Sequence, residues 1–110
     1  MNKHKETLIL AKNDLMLDEE FKLEIKKMKI KAASISFKTK TIRINKDFVD
    51  GDDELIKYLI YHELVHYKLR SKDHGKYFYN ILYSKLGEDF VKRQEKKTME
   101  KLLKINGFRI

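Results

Sequence analysis

Residues 52–70, DDELIKYLIYHELVHYKLR, limit what this chain can fold into more than any other stretch. On a 3.6-residue wheel, Leu55, Leu59, His62, His66 and Leu69 share one face. Ile56, Ile60, Glu63 and Tyr67 lie beside that face, and Leu64 lies beyond them. Only Lys57, Tyr61 and Lys68 remain for a solvent stripe. A helix apolar almost all round must be covered on most of its sides, so the rest of the chain has to be built around it. Asp52 or Asp50 can cap its start, and Asp53 and Glu54 suit the positive end of its dipole.

The covering material reads as an α+β domain spanning residues 1–110. Leu8, Leu15 and Phe21, with Ile9, Ala11 and Met16, predict an amphipathic N-terminal helix over about the first twenty residues. Alternation from Phe21 through Ile30 predicts a strand ending near Lys31. SISFKTKTIRIN predicts a β-hairpin with Ile35, Phe37, Ile42 and Ile44 on one face, giving a small, mainly antiparallel sheet. After the central helix, Ser71-Lys72-Asp73 is a break. A second helix is expected from about His74 to Leu86, with His74, Tyr77, Phe78 and Ile81 on its inner face and Gly87 as its cap. A final helix follows from Glu88.

With 110 residues there is material for one modest core. The chain has no cysteine, so any metal must be held by His, Asp or Glu. No apolar run is long enough to span a bilayer, and MNKHKETLIL lacks the features of a signal peptide, so the expectation is a cytoplasmic protein with no membrane insertion. The net charge of +8 comes from 25 basic and 17 acidic residues. These are intermixed along the chain, so they read as the solvated Lys/Glu surface common in thermophiles and not as a nucleic-acid site.

His62-Glu63-Leu64-Val65-His66 is H-E-x-x-H on a helix. Residues four apart are stacked neighbours, so both imidazoles can reach one ion. Glu63 sits about 100° round the helix, placed to act on a water and not to ligate. Two unpaired imidazoles and a carboxylate would be costly in a buried helix without a shared partner. A catalytic zinc takes three protein ligands and a water. His74, His4 or a carboxylate could be the third. His74 is favoured, because a helix packing back on the first would deliver it, whereas His4 is near a terminus.

The segment ELIKYLIYHELVHYKLRSKDHGKYFYNIL, preceded by the strand TIRIN, resembles the minigluzincins, minimal zinc metallopeptidases of the gluzincin clan. It is also similar to the catalytic domains of CAAX prenyl proteases and the heat-shock membrane protease. The resemblance implies one zinc ion on His62 and His66, with Glu63 as general base and peptides or proteins as substrate. Larger gluzincins use a glutamate as third ligand, where this chain offers His74, as minigluzincins do. The resemblance also implies that the strand Thr41, Ile42, Arg43, Ile44 and Asn45 binds substrate as an added β-strand, for which it would have to lie at the sheet edge. Tyr77 is a candidate donor to the oxyanion. A non-catalytic zinc protein, a protease of DNA–protein crosslinks and hydrolysis of a phosphate ester by the same metal are the alternatives.

The C-terminus raises a separate expectation. Phe90 and Val91 can join the core, but KRQEKKT, residues 92–98, is polar for two turns. Met99, Leu102, Leu103, Ile105, Phe108 and Ile110 then need a surface. Residues 88–110 are therefore expected to dock over the cleft as a latency segment. Docking occurs either in the same chain, by reversal at Gly87 or near Thr98, or reciprocally in a homodimer, which is preferred because it needs no reversal. Minigluzincins occur as latent zymogens, which implies the same.

Overall fold

The computed structural model describes residues 3–49 and 51–106. The chain runs α1 (Lys3–Asp14), β1 (Lys22–Lys26), β2 (Ala33–Ser36), β3 (Thr41–Asn45), a 3-10 turn (Lys46–Phe48), α2 (Asp53–Leu69), α3 (Lys76–Leu86) and α4 (Glu88–Ile105). This is the expected α+β arrangement. Helix α2 is its spine, packed against α1, α3, α4, β2 and β3. Its Leu55, Ile56, Leu59, Ile60, Leu64 and Val65 are all buried. Asp52 is the N-cap, its Oδ1 accepting from the Leu55 amide at 3.0 Å. Asp50, the other candidate cap, lies outside the described residues. At the other end Arg70 takes the left-handed conformation (φ 52°) and closes the helix. Tyr61, expected in the solvent stripe, is instead buried. Its hydroxyl donates to Asp14 of α1 at 2.8 Å, so the polar tip is satisfied while the ring packs.

The sheet order is β1-β3-β2. The hairpin forms as expected, with β2 antiparallel to β3 and Ile35 opposite Ile42. β1, however, runs parallel to β3, so the sheet is mixed. Asn45 accounts for this. Its side chain is fully buried, its Nδ2 donates to the carbonyls of Met28 (3.0 Å) and Lys31 (2.8 Å), and its Oδ1 accepts from the Asp47 amide (3.0 Å). The strand expected to reach Lys31 therefore stops at Lys26. Residues 28–31 wrap onto Asn45, and β2 emerges on the far side of β3. The expected edge strand Thr41–Asn45 is thus the central one. Neighbours on both sides take up its main-chain groups, so it cannot receive an added strand.

Helix α4 turns back at Gly87, whose φ of 88° favours glycine, and packs on α2 and α3 of its own chain. The reversal that docking in one chain requires is made there. The polar run is less uniform than its composition suggests: Gln94 is wholly buried alongside Val91. Neither amide atom of Gln94 has a hydrogen-bond partner, the one buried side chain so placed among the described residues. Tyr79 of α3 ties the helix down by donating to Glu95 at 2.6 Å, and Lys97 donates to Asp52 at 3.3 Å. Leu102 and Ile105 pack against the core, while Met99 is exposed. Phe108 and Ile110 lie outside the described residues.

Candidate active site

Three histidines meet at one point. His62 and His66 come from successive turns of α2. His74 comes from the connection after it, since α3 begins only at Lys76, with Gly75 at its N-cap. Their Nε2 atoms form a nearly equilateral triangle: His62–His66 3.2 Å, His62–His74 3.1 Å and His66–His74 3.1 Å. Nitrogens about 2.0–2.1 Å from one tetrahedral ion would stand roughly 3.3 Å apart, so the donor set matches a zinc-sized cation. Phe78 of α3, fully buried, forms the floor. Its ring centroid is 4.9, 4.6 and 5.0 Å from those of His62, His66 and His74.

The tautomer is set from behind. Arg70 reverses the chain, bringing the Ser71 carbonyl to 2.9 Å from Nδ1 of His66. A carbonyl only accepts, so Nδ1 carries the proton and Nε2 presents a lone pair to the centre. Burial holds His66 below the usual histidine range. Burial, reinforced by His66 and His74, lowers His62 to about 3. Lone pairs aimed at one point repel unless a cation lies between them, which is the physical case for a metal here.

Glu63 points off the triangle, its Oε2 4.0 Å from Nε2 of His62. It is buried, and burial raises its carboxyl to about 7 against the opposing pull of Lys72 and Lys31. It stands beside the histidine cluster and is not part of it.

The cleft above has a volume of about 490 Å³. One wall is Ala32, Ala33 and Ser34, and the opposite side is Tyr58, Leu59 and the histidines. Along β2 the Asn45 amide donates to the Ala32 carbonyl at 2.8 Å, so Ala32 and Ser34 face β3, while the main-chain groups of Ala33 and Ile35 face outward. The Ile35 carbonyl receives the Lys72 ammonium at 2.7 Å. The strand edge that borders the cleft is therefore β2, not the expected Thr41–Asn45. Tyr77 is 76% exposed and does not line the cleft, which removes the geometric basis for the expected oxyanion donor. Its place one turn from His74 presumed that His74 belongs to α3. His4, the other ligand candidate, is buried on α1.

Sequence reasoning missed Tyr58, whose hydroxyl is 3.0 Å from Nδ1 of His62. The signal was available: Tyr58 precedes His62 by four residues on the same helix. Thr98 and Leu102 of α4 also line the cleft.

Among known proteins, the chain is similar to the metallopeptidase zymogen jannalysin of Methanocaldococcus jannaschii. The two folds superpose with a TM-score of 0.81 at 40% identity, over 93% of this chain and 99% of that one. It is also similar to the metallopeptidase zymogen abylysin of Pyrococcus abyssi, with a TM-score of 0.82 at 27% identity over 90% of this chain and 94% of that one. A relative known from sequence, the uncharacterised protein MJ0123 of Methanocaldococcus jannaschii, is 44% identical over 90 residues, 81% of this chain and 82% of its own length. The model of the YgjP-like metallopeptidase domain matches residues 7–104, which take in the H-E-x-x-H helix, the connection carrying His74 and most of α4. The chain belongs to the YgjP-like metallopeptidase family.

Proposed function

We propose that this chain is a zinc-dependent endopeptidase made in a latent form and working in the cytoplasm. The observation that carries the proposal is the 3.1–3.2 Å triangle of imidazole nitrogens beside a buried, non-ligating glutamate. One zinc ion on His62, His66 and His74 would supply the Lewis acid that polarises the scissile carbonyl and acidifies the attacking water. Glu63 accepts the water's proton and returns it to the leaving amine. A buried carboxyl near 7 can do both around neutrality. A substrate peptide lies along the outward edge of β2 and pairs with the main chain at Ala33, next to the histidines. Main-chain pairing reads shape more than side-chain identity.

Latency is assigned to residues 88–110. Thr98 and Leu102 stand in the cleft wall that a bound peptide would approach. Both named structural neighbours are zymogens, which agrees with a chain that is closed as made. A reciprocal exchange of α4 between two copies would make the same contacts and differ only in the path at Gly87, and light scattering separates the two forms. The test of function combines zinc analysis with a peptide-library cleavage assay on the parent, on Glu63→Gln, and on a chain truncated after Lys92. Zinc at one equivalent in the parent, with cleavage that rises on truncation and vanishes in Glu63→Gln, supports the reading. A chain without zinc or without Glu63-dependent cleavage refutes it.

A further inference from the structure

We infer that Tyr58 is the positioning residue for His62, fixing which nitrogen of that imidazole faces the metal and how the ring is turned. The inference rests on the zinc reading above. His62 is half-buried between the buried His66 and the exposed His74, and no main-chain carbonyl does for it what Ser71 does for His66. What faces its Nδ1 is the Tyr58 hydroxyl, at 3.0 Å. A neutral imidazole that gives its Nε2 lone pair to a cation must carry its proton on Nδ1. In that state Nδ1–H donates and the phenol oxygen accepts. Unlike a carbonyl, a hydroxyl can also donate, so Tyr58 holds the ring in place with or without a cation.

The phenol is itself held. Tyr58 is only 3% exposed, one turn before His62 on the same helix, and its ring meets the imidazole edge-on with centroids 5.5 Å apart. It also lines the cleft, so its contact with His62 is made at the ion-facing end of the core. Partners of this kind orient ligating histidines, and their loss weakens metal binding without removing a ligand.

The experiment measures zinc affinity by competition with a chromogenic chelator for the parent, Tyr58→Phe and Tyr61→Phe. Tyr61 is a buried tyrosine on the same helix whose hydroxyl goes to Asp14, so it controls for loss of a buried phenol. Tyr58→Phe keeps the ring and should weaken zinc binding by roughly 10- to 100-fold, with Tyr61→Phe within about threefold of the parent. In the zinc-loaded parent, 15N-histidine NMR should show a His62 Nδ1–H that exchanges slowly, and Tyr58→Phe should lose that protection. Packing alone would not move this signal. Affinity within threefold of the parent, with Nδ1–H still protected, overturns the role of Tyr58 and leaves the zinc reading intact. A parent that binds no zinc overturns both.

Discussion

At the scale of single residues, the proposed roles divide between atoms that would face a metal ion and atoms that hold those in place. Glu63→Gln should retain zinc and lose hydrolysis by roughly two to four orders of magnitude, because it removes only the proton acceptor. Zinc content and turnover measured on one preparation check this. His74→Ala should weaken zinc sharply, whereas His4→Ala should leave zinc content unchanged. Equal zinc in His74→Ala and the parent would exclude His74 as a ligand. Asn45→Ala has a different signature. It leaves two carbonyls and an amide at part-buried positions without their partner, so it should cost about 1–3 kcal/mol in denaturant unfolding and loosen the 28–31 segment bordering the cleft. The meeting of His62 and His66 was legible from spacing alone, since a helix puts residues four apart on one shared face. Asn45 was not, because its partners are main-chain carbonyls fourteen and seventeen residues away, and side-chain patterning says nothing about those.

At the scale of elements, the sequence was most informative where periodicity was strong. α2 and the β2–β3 hairpin fall where their patterns put them. Direction and edge position were the failures: alternation in β1 reads the same whether its neighbour runs with it or against it. α4 was misjudged by composition, because a glutamine counts as polar even when its side chain lies inside. Gln94→Leu removes two unpartnered buried polar atoms and should raise stability by about 1–3 kcal/mol, seen as a rise in melting temperature of several degrees. If α4 is the latency element, the same change should lower peptidase activity in the full-length chain. Truncation after Lys92 should raise it, while leaving a folded monomer by circular dichroism and light scattering.

At the scale of the whole molecule, one helix both forms the core and carries His62, Glu63 and His66, so on the proposed reading metal occupancy and folding are linked. Zinc that binds only the folded chain should stabilise it by about 2.7 kcal/mol at a hundred times its dissociation constant, and a chelator should reverse the rise in melting temperature. The positive charge has no such link. Among the described residues no helix is long and apolar enough to cross a membrane, and cations are scattered over the surface. Binding to duplex DNA should be weak and should vanish near physiological salt, as titration at two ionic strengths would show. Gln94 has one more consequence, visible in time. A helix seated over an unsatisfied amide is held less firmly than the spine beneath it. In native-state hydrogen exchange, the amides of α4 should therefore open as one unit while those of α2 wait for global unfolding, so that the cleft wall carrying Thr98 and Leu102 comes away many times in the life of a single folded molecule.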